Sequence, residues 1–213
     1  MIRRSLVATL VMALVGAAGT RAETPALATP HLYLSPTVGF AHWDRQSIEG
    51  ASIPDRLAPL FGGRVGYTPI EAFSAEGVVL TGTNDAEAGG ERVPVRLTTV
   101  ELSFLVNFRT LMDSPVYPFL ALGVGAVSRS GDLLVGGENV AEGTDLAFHL
   151  GGGAKVDLAP RWGARLAVRD MFYTDTQSEE NRDEQVTVDA VEVSLSIEYR
   201  IPLGRGGGPE RLR

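Results

Sequence analysis

Hydrophobic and polar residues alternate with a period of two along residues 191–201, which read Val-Glu-Val-Ser-Leu-Ser-Ile-Glu-Tyr-Arg-Ile. One face of this segment would carry only apolar and aromatic side chains, and the other would carry Glu192, Glu198 and Arg200. A period of two is typical of a β-strand. Three charged groups on one face exclude an ordinary core strand. About 9–11 tilted residues with one apolar face and one polar face are what a membrane-spanning β-strand requires.

The same alternation recurs along the chain and predicts eight strands. The 25 glycines and 12 prolines lie at turns and inside the alternating segments, which favours an all-β barrel or sandwich with bends. The sequence shows no long apolar helix pattern. The predicted strands cover residues 32–43, 60–68, 72–83, 95–108, 116–128, 146–158 and 162–173, and an eighth starts near residue 186.

The connections between these strands alternate between short and long. Short connections are predicted at 69–71, 110–115 and 159–161, and long ones at 44–59, 84–94, 129–145 and 174–185. Outer-membrane barrels have short periplasmic turns and longer outer loops. The pattern therefore predicts an all-β, eight-stranded, antiparallel, up-and-down transmembrane β-barrel. A soluble periplasmic β-protein is the alternative, although it would not require such a clean separation.

The charged residues of the strands fall on the face that would line the lumen. An eight-stranded barrel encloses only enough space for side chains, so charges there must be paired. We expect an ionic network that closes the lumen, with Arg200 near its rim; inward glycines could leave a narrow water-filled path instead. The predicted network consists of Arg64, Lys155, Arg165 and Arg169 with Glu76, Glu101, Glu192 and Glu198. The predicted lipid-facing set includes Leu102, Phe104, Val193, Leu195, Ile197 and Tyr199.

The two ends of the chain lie outside this pattern. Residues 1–22 combine a basic start, a short apolar run and small residues before a cleavage site, which predicts a secretory signal peptide; an uncleaved anchor is the alternative. Residues 23–203 would form the barrel, and residues 204–213 a short flexible tail. Removal of the signal peptide takes away three arginines and no acid, which changes the formal charge from −7 to −10. An acidic chain disfavours nucleic acid as a partner. The chain has no cysteine, which excludes disulfide and thiolate chemistry.

Candidate catalytic chemistry depends on three histidines. His31 precedes the first strand, His42 lies near Asp44, and His149 would point into the lumen. Catalysis would need a nucleophile and a base within hydrogen-bond reach, and no motif places a serine beside His149. We expect His149 to belong to the polar network, and we expect neither an enzyme nor a cofactor.

The connection at residues 174–185 is acidic, with five carboxylates. Its spacing does not match a twelve-residue calcium loop, because a glycine turn and a correctly placed final glutamate are missing. We expect a solvated acidic loop, with binding of divalent cations as the alternative.

Three stretches carry a resemblance to a known family. Residues 118–126 read PFLALGVGA, residues 145–157 read DLAFHLGGGAKVD, and residues 161–170 read RWGARLAVRD. They resemble the OmpA-like outer-membrane β-barrel family, in which strands such as PFLGAGVG, GGGVKY and WGLRLDVRD often follow in this order. The resemblance implies an eight-stranded barrel inserted into the outer membrane by the outer-membrane assembly machinery. It also implies roles in adhesion, envelope anchoring or structural support.

Residues 204–213 are too short for the peptidoglycan-binding domain of larger family members. We therefore expect a small, monomeric barrel that contacts outer-membrane lipids and lipopolysaccharide. Its structural or interaction role would lie in the outer loops. A narrow channel for small solutes or ions is the first alternative, and a lipid-modifying enzyme is the second.

Overall fold

The computed structural model describes residues 30–43, 46–48, 51–53, 57–88, 91–111, 114–131, 134–135, 138–139, 143–179 and 182–203. The predicted signal peptide (1–22) and the predicted tail (204–213) lie outside the described residues. Within the part of the chain that the structure describes, no helix has the length and apolar character needed to cross a bilayer.

The described residues form eight long antiparallel strands that close into a barrel. Each strand pairs with its neighbours in sequence, and the first strand closes the barrel by pairing with the last, for example at Thr37 and Ser196. The prediction of an eight-stranded, up-and-down barrel is therefore confirmed. The strands are β1 (His31–Trp43), β2 (Leu57–Ile70), β3 (Phe73–Ala88), β4 (Glu91–Asn107), β5 (Val116–Ser130), β6 (Gly143–Ala159), β7 (Trp162–Glu179) and β8 (Arg182–Pro202).

Alternating side chains point to opposite sides of the barrel wall, as strand geometry requires. In β8, Leu195 is 51% exposed, whereas Ser194 and Ser196 on either side are 2% exposed. The other strands repeat this pattern, with aliphatic and aromatic side chains outside and mostly small or polar side chains inside. Of the predicted lipid-facing residues, Tyr199 is half-buried against Trp162, with ring centroids 4.9 Å apart; the remaining five are exposed.

The barrel has two different ends. At one end, here called the turn end, β2 meets β3 through Glu71–Ala72, and β6 meets β7 through Pro160–Arg161. The connection from β4 to β5 contains a 3₁₀ turn, Arg109–Leu111, that the strand pattern did not predict. The opposite end, here called the hairpin end, carries the other four connections.

Two of the predicted long loops are wrong. The β3–β4 ladder continues as far as Ala88 opposite Glu91, and the β7–β8 ladder continues as far as Glu179 opposite Arg182. The segments 84–94 and 174–185 are therefore mostly paired strand. Backbone hydrogen bonds sustain a ladder without a buried face, so the apolar alternation stops earlier than the strands do.

The other two long connections contain short strand pairs. In the first, Gln46–Ile48 pairs with Ala51–Ile53, and the latter extends the sheet through Ala51 opposite Ala88 of β3. In the second, Leu134–Val135 pairs with Glu138–Asn139. The described residues of these two connections are therefore mostly paired strand.

The seam between β1 and β8 contains an interruption. Leu34 pairs with Tyr199 and Thr37 with Ser196, but the intervening Ser35 and Pro36 pair only with β2. Proline has no backbone N–H to donate to a ladder and is usually confined to sheet edges. Pro36 therefore accounts for the gap at the point where the barrel closes.

Candidate functional site

The lumen concentrates the polar groups of the barrel, and Glu76 of β3 is at their centre. Arg165 donates two hydrogen bonds to its carboxylate, at 2.6 and 3.0 Å. Arg64 and Arg169 donate one each, at 3.2 and 3.0 Å, and the Tyr33 hydroxyl donates another at 2.8 Å. Glu76 thus binds three arginines and a tyrosine, which come from three other strands.

The remaining predicted network residues join this centre through further ion pairs. Arg64 also contacts Glu192 at 3.1 Å, and Arg169 also pairs with Glu101. Arg165 and Lys155 lie 4.0 and 3.7 Å from Glu198. Contacts of 4.0 Å or less therefore connect all eight residues, which are all buried. The set has four side chains of each sign, so every buried charge has an opposite neighbour to offset the cost of its desolvation.

An aromatic ring inside the network adds to this charge compensation. The ring centroid of Phe119 lies 4.4 Å from Arg165 Cζ and 5.5 Å from Lys155 Nζ. The face of an aromatic ring attracts cations, most strongly where water is excluded. Phe119 therefore fills lumen volume and stabilises two of the four cations of the network.

The inward glycines receive large side chains from neighbouring strands. A Cβ on Gly125 would lie 2.8 Å from Glu101 Cγ, and one on Gly151 would lie 2.9 Å from Arg169 Cγ. Gly66 similarly faces the ring of Tyr33. Real Cβ atoms do not approach other heavy atoms so closely, so these side chains need glycine beside them. At these positions the space next to the glycine is filled, not left as a path for water.

A second ionic cluster lies at the turn end. Arg200 donates to Asp157 at 2.7 Å and to Glu198 at 3.5 Å, and Arg109 donates to Asp157 at 2.8 Å and to Glu71 at 3.4 Å. The sequence predicts Arg200 near the rim of the lumen; the side chain lies at the turn end, where it is buried and joins both clusters.

Part of this second cluster could have been found from the sequence. Asp157 and Arg200 follow Lys155 and Glu198 by two residues on the same strand faces. The part played by Arg109 could not be predicted from the sequence, because this residue lies in the 3₁₀ turn beyond the alternating segment.

An apolar cluster occupies the lumen toward the hairpin end. Its members lie nearer the hairpin end than the ionic residues of the same strands, as Leu80 does relative to Glu76 and Leu60 relative to Arg64. Sequence reasoning missed this layer, because it treated the inward face as polar throughout. The cluster consists of Ala41, Ala58, Leu60, Val78, Leu80, Leu97, Val127, Ala147, Met171 and Ala190, all at most 3% exposed. Still nearer the hairpin end, Arg129 of β5 pairs with Asp145 of β6 at 2.8 Å.

His149 lies between Ser103 and Glu101, so the three side chains are arranged like a nucleophile, a base and an acid. Its Nε2 atom lies 2.9 Å from the Ser103 hydroxyl, and its Nδ1 atom lies 3.5 Å from Glu101 Oε2. No motif in the sequence places a serine beside His149, but the structure brings Ser103 there. Ser103 comes close through the register of β4, β5 and β6, which a single sequence does not reveal.

The other candidate sites take little part in this arrangement. His31 is buried at the turn end, and His42 lies near the hairpin end, but its suggested partner Asp44 lies outside the described residues. The acidic side chains of 174–185 also lie outside what the structure describes, although most of their backbone is strand. Among the described residues, no group of three or more His, Cys, Asp or Glu side chains is placed to hold a metal ion.

The exposed apolar wall, the buried ionic clusters and the closed ladder define a class of protein: a transmembrane β-barrel with a lumen filled by side chains. The family model for the outer membrane protein β-barrel domain matches residues 7–200. The chain therefore belongs to the outer-membrane β-barrel family, which places it in the outer membrane.

Solved structures show the same fold at low sequence identity. Neisserial surface protein A is similar with a TM-score of 0.57 and 17% identity, over 80% of this chain and 97% of that chain. A major outer membrane protein from Thermus thermophilus gives 0.52 and 15%, over 80% and 99%. Outer Membrane Protein W of E. coli gives 0.52 and 13%, over 82% and 99%. Comparison with curated proteins finds no match.

Proposed function

We propose that this protein is a non-conducting outer-membrane barrel with a structural or interaction role at the outer face of the membrane. The observation that carries the proposal is the apolar cluster that lies in the lumen beyond the ionic network. Leu60, Leu80, Leu97 and Met171 are all at most 3% exposed there.

An ion crossing this lumen would meet two barriers in series. At the ionic network it would have to displace arginines that already bind Glu76 at 2.6–3.2 Å. At the apolar cluster it would lose its hydration shell without gaining polar ligands, which is strongly unfavourable. These two layers favour a closed barrel over the narrow-channel alternative.

The hairpin end supplies the surface for interactions. Ala51 and Ser52 pair with Ala88 and Glu87, so the first connection adds to the sheet formed by the β3–β4 hairpin. A paired backbone holds a loop surface in a defined shape, and binding residues are common on such loops. The partners we propose are outer-membrane lipids and lipopolysaccharide for the wall, and the outer-membrane assembly machinery during insertion. The protein would act as a monomer in a Gram-negative envelope, after cleavage of residues 1–22.

The enzyme alternative receives less support from the Ser103–His149 pair. Both side chains are buried, and Glu101 is already engaged by Arg169. A hydrolytic nucleophile needs space for a substrate carbonyl beside it. We therefore propose that these residues close the network and do not perform chemistry.

Planar-bilayer recording tests the proposal. The purified wild-type barrel is expected to give no discrete conductance steps. The double variant Leu80→Ser and Leu97→Ser, which makes the apolar layer polar, is expected to leak more than the matched variant Leu80→Ile and Leu97→Ile. Regular conductance steps from the wild type would refute the proposal and favour the channel.

A further inference from the structure

A small cavity lies inside the turn end, between the two ionic clusters. Its volume is about 10 Å³, which is about the least that a single water molecule needs. Tyr33, Ser74, Asn107, Lys155, Glu198 and Arg200 are among the residues that line it. The lining therefore joins side chains of β4 to side chains of β6 and β8.

Three residues of this lining each have a buried side-chain atom with no hydrogen-bond partner in the protein: Asn107 Oδ1, Glu198 Oε1 and Arg200 Nη1. The three residues are 5%, 1% and 2% exposed. Lys155 Nζ lies 3.7 Å from Glu198 Oε1, which is too long for a direct hydrogen bond. Leaving a buried polar atom without a partner is costly, so each of these atoms calls for a ligand in the cavity.

The chemistry of the lining selects the ligand. Asn107 Oδ1 and Glu198 Oε1 can only accept hydrogen bonds, whereas Arg200 Nη1 and Lys155 Nζ can only donate them. A cation would be repelled by Arg200 and Lys155, and an anion by Glu198. The ligand must both donate and accept, and the volume limits it to a single small molecule.

We propose that one water molecule is bound in this cavity. It accepts a hydrogen bond from Arg200 Nη1 and donates to Glu198 Oε1 and Asn107 Oδ1, with Lys155 Nζ as a second donor. Three or four such bonds are the usual complement of a buried structural water.

The bound water links opposite sides of the barrel. Asn107 Nδ2 donates to Ser74 Oγ at 3.0 Å, and the Ser74 hydroxyl contacts the Thr68 hydroxyl at 2.9 Å. On the other side, Arg200 joins Asp157 and Glu198. The water therefore connects the hydroxyl chain of β2, β3 and β4 with the ionic groups of β6 and β8. This role is independent of what the barrel does at its outer face.

High-resolution crystal structures of the full barrel test the assignment. In the wild type we expect an ordered solvent atom within about 3.2 Å of Asn107 Oδ1, Glu198 Oε1 and Arg200 Nη1, the usual limit of a hydrogen bond. Asn107→Leu removes one of the two acceptors and places an apolar group there, so it is expected to lower the occupancy of this site. Asn107→Asp keeps an acceptor oxygen at the same place and is expected to retain the solvent atom.

Asn84→Leu is the matched control. Asn84 is also a buried asparagine with an unpartnered side-chain atom, but it does not line this cavity, so its replacement is expected to leave the solvent atom in place. A wild-type cavity without solvent density would overturn the proposal, as would an unchanged solvent atom in Asn107→Leu. If Asn107→Leu does not fold, the wild type and Asn107→Asp still decide the question.

Discussion

Gly123 of β5 lies directly against the imidazole of His149 on β6: a Cβ on Gly123 would come within 2.6 Å of both Cε1 and Nε2 of that ring. The same Nε2 atom forms the 2.9 Å contact with Ser103. The position of His149 therefore depends on a residue that has no side chain of its own.

The first prediction concerns this glycine. In Gly123→Ala the new Cβ would clash with the Leu102 backbone oxygen as well as with the imidazole. The substitution is expected to displace the imidazole from Ser103 and to lower the free energy of unfolding by about 1–3 kcal/mol, the usual cost of overpacking. Urea unfolding of the barrel in lipid vesicles measures this change.

Gly77→Ala is the control for this substitution. Gly77 is in a strand of the same barrel, but the nearest atom to a Cβ there is 3.8 Å away. Alanine is expected to be neutral or to stabilise by up to about 0.5–1 kcal/mol, because glycine loses more entropy on folding. Equal losses from both substitutions would contradict the packing argument.

The second prediction distinguishes the centre of the ionic network from its margin. Glu76→Gln leaves three buried arginines without their shared carboxylate and is expected to cost about 3–5 kcal/mol in unfolding free energy. Glu192→Gln is expected to cost less, because Arg64 keeps its contact with Glu76 at 3.2 Å. Urea unfolding of the two variants compares them, and a larger loss from Glu192→Gln would show that Glu76 is not the centre.

The third prediction concerns the interrupted seam. Pro36→Ala restores a backbone N–H opposite β8 and is expected to raise the free energy of unfolding by about 1 kcal/mol, the typical net value of one hydrogen bond. Hydrogen exchange should show a protected amide at residue 36.

Pro94→Ala is the matched control for the seam. The ladder from Asp85 to Pro94 is uninterrupted, and the pairing of β4 with β5 starts only at Arg96, so no missing bond is restored there. No gain is expected. A fast-exchanging amide at residue 36 would mean that the gap has a cause other than the proline.

The fourth prediction concerns reactivity at Ser103. A fluorophosphonate probe is expected to leave the folded barrel unlabelled, because Ser103 is only 6% exposed and its neighbours are buried. Intact-mass measurement gives the result. The variant Ser103→Ala controls for labelling at other sites. Labelling of the wild type that this variant abolishes would revive the enzyme alternative.

Much of the wall could be predicted from the sequence, because a strand repeats every two residues and lipid demands one apolar face. That rule placed Leu195 outside and Glu192 inside, without knowledge of any partner strand. It failed where the ladder continues beyond the alternating segment, as at Ala88 and Glu91, because backbone hydrogen bonds do not require an apolar face.

The contacts across the lumen were beyond the reach of the sequence pattern. Alternation shows that Glu76 and Arg165 point inward, but not that they meet, because that depends on the register and tilt of strands far apart in the chain. The apolar layer around Leu80 was missed for a related reason. A polar lumen was assumed for every level of the barrel, whereas inward aliphatic residues were present in the pattern of β2 and β3.

The interior layers also bear on how this protein keeps its shape. Side chains meet across the whole width of the cylinder, so the strands are held from within as well as by their ladder. The surrounding lipid or detergent then has only to cover the apolar outer surface, which detergents and bilayers of different thickness all do. A barrel that carries its own core should therefore move between such environments with its cross-section unchanged.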